Sequence, residues 1–393
     1  AGSAPSAVAA SERHNMPSLR TAIHYEGDDP RLRIAGDRCV RGDGSCTFDF
    51  QTSLELCLTG SGECTLSIDL TAGGNGFDLL VDGQLHSMLE THRQWRRRRT
   101  YSFVLPPLPS DTRCISLVKR TEPVAVQLLP YCRVRAATLH GVDLSEGHAL
   151  VDHTPPRRIE FVGDSNLAAF GVLGAPSTIG LRGLFGLGLS QQSIRHSWAH
   201  MLCRMCVAEP CVIGWSGVGV VQNAIGTGGK HRIAEIYERC LGNDGSRFDF
   251  ATAAWSPQIV CVDVGANDVY GGRAPPSEAA FVDAYVALLQ LIRRHRPQPC
   301  LMLCIVPRLD TPVYLAAGYR ADDDGGMMQS YLRSAVDAYE RASGDQLVRL
   351  VSIAGVFAWP ADGGSLEHWG VRAHEKYADA VHAVVERLPV DWV

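Results

Sequence analysis

Two kinds of hydrophobic patterning divide the chain. Between residues 28 and 151 apolar and polar positions alternate in short runs, as in "CTFDFQTSLELCLTG" (46–60) and "CTLSIDLTAG" (64–73). A period of two marks a strand with one buried face. "GGNGFDLLVDGQLH" (73–86) reads as turn, strand, Asp-Gly turn, strand, which is a hairpin signal. "TYSFVLPPLP", "CISLVKRTEP" and "VAVQLLPYCRVRAATL" continue the series to residue 139. Short strands with frequent turns predict a β-sandwich of jelly-roll type over 28–151. Residues 1–17 are small and polar, and residues 1–27 are expected to be a flexible leader. After the Pro-rich joint at 152–158 the pattern changes. Predominantly apolar runs, "RIEFV" (158–162), "PCVIG" (210–214), "PQIVCVDV" (257–264), "PCLMLCIV" (299–306) and "QLVRLV" (346–351), alternate with helical stretches beginning near Ser193, Ser277, Gly326 and Val371. Ser277 is a natural helix cap, and Glu278 sits favourably in the first turn. Buried strands alternating with helices predict a parallel sheet covered on both faces over 152–393.

Bulk composition adds exclusions. The 393 residues are 46% hydrophobic and 20% charged, with a net charge of −5, as in a globular protein. The basic excess of a nucleic-acid binder is absent, and no apolar stretch approaches a membrane span. Arg96–Arg99 form a local basic run, read as a solvated turn between strands. Thirteen cysteines are present. The seven-residue spacings of Cys39 and Cys46, and of Cys57 and Cys64, suit disulfide-closed loops and an oxidising compartment. They favour a secreted or secretory-pathway location, although no signal peptide is visible. Cys203, Cys206 and Cys211 lack a second ligand pair of zinc-site spacing and read as buried free thiols. No metal or cofactor is expected.

Functional groups of open α/β sheets lie beyond the carboxyl ends of the strands. Four segments of the second half place polar or glycine residues there. Gly163-Asp164-Ser165 offers a serine nucleophile at a strand-to-loop turn. Trp215-Ser216-Gly217-Val218-Gly219 offers backbone amides that can approach a ligand. Gly265-Ala266-Asn267-Asp268 offers an asparagine amide donor, with Asp268 bracing the loop. His368 follows the last strand and can accept the serine proton. Each alone is equally a helix cap, an ordinary loop, a turn or a surface histidine. In the chain order Ser, Gly, Asn, His they form a set.

That set resembles the SGNH-hydrolase superfamily, over about Arg157 to Leu388. Gly-x-Asn-Asp at 265–268 is its most specific block. "KRTE" (119–122), "RRIEFVGDS" (157–165), "WSGVGV" (215–220) followed by Asn223, and "WSPQIVCVDVGAND" (255–268) extend the likeness. Together with the front half they resemble family 2 carbohydrate esterases, which join a jelly roll to an SGNH domain and remove acetyl groups from plant polysaccharides. The resemblance implies a flavodoxin-like three-layer catalytic domain and a serine esterase. Ser165 would attack and His368 would act as base, with the amides of Ser165 and Gly217 and the side chain of Asn267 holding the oxyanion. Asp164, Asp268 and Gly219 would support the site.

Two departures stand out. The serine block continues as Asn166-Leu167-Ala168-Ala169-Phe170-Gly171 where the family has Ile-Thr and a glycine-rich turn. Ser365 and Leu366 occupy the positions where an aspartate orients the histidine. A Ser165–His368 dyad with a backbone carbonyl on the imidazole is the expected solution. Glu367, adjacent to the histidine, is a poor substitute, and Asp362 lies six residues back. His374 is the other candidate base, but its position matches a superfamily histidine that packs at the helix start, and it is given that structural role. Trp215, Trp255 and Trp369 neighbour the motifs; stacking on a sugar ring and packing at the sheet edge both remain open for them. An acetylated oligo- or polysaccharide substrate, no nucleic-acid or membrane partner and a monomeric state are expected. An acyltransferase or general short-chain esterase on the same fold, and a non-catalytic glycan-binding protein, are the alternatives.

Overall fold

The computed structural model describes residues 11–12, 22–91, 97–107, 112–123, 135–155, 157–177, 191–224, 231–243, 245–272, 274–319, 326–353 and 357–388. The chain divides into two compact units. The first takes Ala1–Pro123, Val134–Thr154 and Cys240–Ser246; the second takes Val124–Arg133, Pro155–Arg239 and Arg247–Val393.

The first unit contains two antiparallel sheets in a jelly-roll-like arrangement. Its strands are β1 Ser11–Glu12, β2 Ile23–Glu26, β3 Arg33–Ile34, β4 Cys39–Gly42, β5 Ser45–Phe48, β6 Ser53–Gly60, β7 Cys64–Thr71, β8 Gly76–Val81, β9 Gln84–Glu90, β10 Arg98–Leu105, β11 Thr112–Lys119, β12 Ala137–Leu144 and β13 His148–Val151. One sheet runs β1-β10-β7-β12-β5-β4 with β2 also on β12; the other runs β13-β6-β11-β8-β9 with β3 on β6. The alternation read from the sequence is the cause. Leu54, Leu56 and Leu58 of β6 and Leu66, Ile68 and Leu70 of β7 enter one core.

Three expectations for this unit change. The stretch read as a flexible leader supplies β1 and β2. Pairing shifts between Leu139 and Gly141 of β12, which leaves β5 and takes up β2 at Gly141–Leu144. An edge left unpaired there would expose main-chain polar groups, and Tyr25 of β2 joins the core. Arg98 and Arg99 belong to β10 rather than a turn, and Arg98 Nε donates to Asp69 at 2.7 Å; Arg96 lies outside the described residues. Cys57 does not face Cys64, because β6 and β7 belong to different sheets. "KRTE" is a buried polar cluster here: Lys119 Nζ donates to the Thr121 carbonyl at 2.6 Å, and Arg120 pairs with Glu90. The strand expected over 124–134 lies outside the described residues.

The second unit carries β14 Arg158–Gly163, β15 Glu209–Gly214, β16 Ile259–Asp263, β17 Leu301–Ile305 and β18 Val348–Val351. All pair in parallel, in the order β15-β14-β16-β17-β18. Its principal helices are α1 Trp198–Cys206, α2 Ile233–Tyr237, α3 Glu278–His295, α4 Pro312–Ala316, α5 Gly326–Ser343 and α6 Val371–Val385. The order in which strands are added reverses at β14: β15 lies on one side of it and β16, β17 and β18 on the other. Right-handed crossovers therefore put α1 on one face and α3 and α5 on the other. α1 packs with α6, and α3 with α5. The Ser277 hydroxyl caps α3 by accepting from the Ala280 amide at 3.3 Å. Beneath the sheet, Glu160 of β14 is fully buried in an ion pair with Arg296 (2.8 and 3.0 Å) and accepts from the Tyr237 hydroxyl at 3.0 Å.

Candidate active site

The order reversal in the parallel sheet leaves a crevice at the carboxyl ends of β14 and β16, the usual position for a site in such a fold. Gly163 of β14 is level with Gly214 of β15 on one side and Asp263 of β16 on the other. The serine, glycine and asparagine blocks therefore leave the sheet side by side.

Ser165 is buried, and its hydroxyl donates to His368 Nε2 at 2.9 Å. The other ring nitrogen, Nδ1, donates to the Leu366 carbonyl at 2.7 Å. A carbonyl can only accept, so Nδ1 carries the proton and Nε2 presents a lone pair to the serine. Burial lowers the His368 pKa to about 4, only partly offset by the Leu366 carbonyl. The imidazole is therefore neutral at pH 7 and able to take a proton.

The loop before His368 achieves this with local strain. Leu366 (φ 56°) and Glu367 (φ 60°) are consecutive left-handed residues, which turn the Leu366 carbonyl back toward the ring. The segment after Ser165 holds the loop in place. Ser365 donates through its amide and its hydroxyl to the Gly171 carbonyl at 3.0 and 3.2 Å, and the amides of Leu366 and Glu367 donate to Ser177. Phe170 meets the His368 ring edge-on at 4.9 Å. Its role was missed in the sequence, where only the departure at 166–171 signalled a different wall.

The groups expected as oxyanion donors are unevenly prepared. Among the described residues, the amides of Ser165 and Gly217 have no acceptor. Gly217 has φ +79°, where a side chain would be strained. Asn267 differs from the expected free donor: its Nδ2 group already donates to Asp164 Oδ2 at 3.0 Å and to the Val218 carbonyl at 2.9 Å. Asp164 thus fixes Asn267, and it also accepts from the Asn166 amide. Asp268 accepts from the amides of Val220, Val221 and Gln222 at 2.7–2.8 Å, tying the glycine loop to the asparagine loop. Burial raises its pKa despite these donors. Gly219 lies so close to this brace that a Cβ would meet the Gln222 carbonyl at 2.0 Å.

Other residues fall outside the constellation. Asp362 accepts from Lys376 at 2.6 Å and pairs with Arg372, facing α6. His374 is buried at the start of α6, where its Nδ1 accepts from the Trp198 amide at 3.2 Å. Trp255 is not beside the serine. Its indole donates to Glu209 at the opposite edge of the sheet, where β15 begins, and Arg296 stacks on it. Trp369 is buried against Tyr377 and His374. Trp215 is buried as well. Packing therefore accounts for all three, and none offers an open face to a sugar.

A parallel 2-1-3-4-5 sheet with a serine–histidine pair at its switch point defines a hydrolase-type α/β protein. The chain belongs to the GDSL-like lipase/acylhydrolase family, whose model matches residues 161–383. It is 28% identical over 251 residues to the cellulase/esterase CelE of Acetivibrio thermocellus, covering 62% of this chain and 27% of that one. It is 21% identical over 295 residues to an acetylxylan esterase / glucomannan deacetylase of Cellvibrio japonicus, covering 74% and 75%. A family two carbohydrate esterase from Clostridium thermocellum, solved in complex with cellohexaose, superimposes with a TM-score of 0.69 at 24% identity, over 89% of this chain and 96% of that one. The chain thus spans about a quarter of CelE and most of the other two.

Proposed function

We propose that the protein is a serine esterase that removes O-acetyl groups from a carbohydrate. The observation that carries this reading is the 2.9 Å hydrogen bond from Ser165 to a His368 whose other nitrogen is held by a main-chain carbonyl. Ser165 attacks the ester carbonyl as His368 takes its proton. The amides of Ser165 and Gly217 receive the developing oxyanion, and Asn267 joins them by turning from the Val218 carbonyl. Each such donor is worth roughly 3 kcal/mol in the transition state. His368 then protonates the departing sugar oxygen, and water repeats the sequence on the acyl-enzyme. The names of the relatives support a carbohydrate ester as substrate.

The test is release of acetate from acetylated xylan, glucomannan and cello-oligosaccharides, with p-nitrophenyl acetate and butyrate as simple esters, by the wild type and by Ser165→Ala. Acetate release that disappears in the variant supports the proposal. Transfer to an added alcohol in place of hydrolysis would make the protein an acyltransferase. Glycan binding without turnover in either protein would make it a binding protein.

A further inference from the structure

The esterase chemistry leaves unused two cysteines on the outer face of the β unit. On β6, Leu54, Leu56 and Leu58 enter the core, so Glu55 and Cys57 point the other way. On β11, Ile115 and Leu117 enter the core, so Cys114 and Ser116 face out, and Ser116 donates to Glu55 at 2.6 Å. Register sets Cys57 directly opposite Cys114, and their Sγ atoms are 2.8 Å apart. Directly opposed residues of antiparallel strands have Cα atoms about 4.5–5.5 Å apart, inside the range a disulfide spans. Small side-chain rotations would therefore bond the two sulfurs without moving the strands.

The surroundings favour a reactive thiol over an inert one. His153, two residues beyond β13, brings a ring nitrogen within 4.8 Å of both sulfurs. The three groups line a small solvent-open pocket with Arg31, Arg33 and Glu55. Arg31 is fixed by Asp29 at 2.6 Å. Cys57 is buried, whereas Cys114 reaches solvent. The Cys57 thiol, as donor, holds the Cys114 thiol down at about 7, although burial and the nearby Asp82 act the other way; Cys57 is itself pushed up. An accessible thiolate beside a protonated partner is the arrangement of an attacking and a resolving cysteine.

We propose that Cys57 and Cys114 are a redox-active dithiol that exchanges with low-molecular-weight disulfides, Cys114 attacking and Cys57 resolving. The Cys114 thiolate forms a bond to one sulfur of the external disulfide, whose S–S bond breaks and releases one thiolate. Cys57 gives its proton to His153 and attacks Cys114 Sγ, forming the cross-strand disulfide and expelling the second thiolate. One external disulfide is consumed and two thiols are released, a two-electron oxidation of the pair.

The experiment incubates the full chain in glutathione buffers of graded oxidised-to-reduced ratio, quenches with acid, alkylates and maps peptides without reduction. A Cys57–Cys114 linked peptide that rises with the oxidised fraction and disappears in reduced buffer is expected. Cys57→Ser should accumulate glutathione at Cys114, whereas Cys114→Ser should leave Cys57 largely unmodified. The wild-type map stands even if a variant folds poorly. Free alkylation of both cysteines in oxidised buffer overturns the proposal. So does stoichiometric zinc held by the reduced protein and released on Cys114→Ser, which would make the cluster a metal site. Glutathione captured at Cys57 in preference to Cys114 overturns the assignment of roles.

Discussion

The imidazole of His368 is oriented by the main chain of Leu366, two residues earlier, through a 2.7 Å hydrogen bond from Nδ1 to the carbonyl. No carboxylate takes that place: Asp362 is engaged by Lys376 and Arg372. Asp362→Ala should therefore leave kcat on p-nitrophenyl acetate within a few-fold of wild type, while His368→Ala should lower it roughly 100- to 10,000-fold. A large loss of kcat in a folded Asp362→Ala protein would show that the carboxylate reaches the histidine after all.

The carbonyl is aimed by left-handed backbone, so residue 366 should tolerate glycine and resist β-branching. Leu366→Gly is expected to keep the melting temperature near wild type. Leu366→Val should cost about 1–2 kcal/mol in chemical denaturation and reduce kcat, because the ring loses its guide.

Asp268 gathers three amides of the loop that carries Gly217. Asp268→Ala leaves those donors without an acceptor and should destabilise the protein by at least about 3 kcal/mol. Because the same loop presents the Gly217 amide, kcat should fall with KM for the simple ester little changed. Asn267→Ala should lower kcat roughly 100- to 1000-fold if the amide reaches the oxyanion. A variant that loses stability and keeps kcat would confine Asn267 to bracing Asp164 and Val218.

Glu160→Gln separates stability from chemistry. It leaves Arg296 buried without its anion, at a cost of roughly 3–5 kcal/mol. The pair lies beneath the sheet, so kcat of the folded fraction should be unchanged.

Acid acts on the protein in two ways. As the proposed base His368 must be neutral, and burial holds its pKa at about 4, so kcat/KM should fall as pH drops through about 4 with a single-proton limb. His200 and His374 are lowered further by burial, to about 3. In the unfolded chain all three bind protons near pH 6.5. Between these values the unfolded state holds more protons, so stability decreases as pH falls. At pH 5 each histidine removes about 2 kcal/mol. Denaturation curves from pH 7 to 4 should steepen this loss below pH 6.5, and His200→Leu should flatten it by about one histidine's share.

Much of the architecture was legible because it is written in local periodicity. Alternation at Leu54, Leu56 and Leu58 and at Leu66, Ile68 and Leu70 requires two-faced strands. The apolar runs of β16 (259–262) and β17 (301–305) can be satisfied only in a sheet covered on both faces. Once that sheet is parallel, every segment following a strand emerges at one edge. Ser165, Gly217, Asn267 and His368 could therefore be read as neighbours although 203 residues separate the serine from the histidine.

What local pattern does not encode is which groups meet across the fold. The partner of Cys57 depends on the register between β6 and β11, and the sequence spacing pointed instead to Cys64, which lies in the other sheet. Trp255 stands close to Asn267 in sequence, yet a five-residue strand carries it to the opposite edge. The sequence determined that a serine, two loops and a histidine share one edge of a parallel sheet, because periodicity and chain order act over short range. Only the tertiary structure decided that the Leu366 carbonyl orients the histidine, that Asp164 and Val218 occupy the Asn267 amide, and that Phe170 walls the ring. Those contacts depend on packing between segments distant in the chain and on backbone angles that residue identity leaves open.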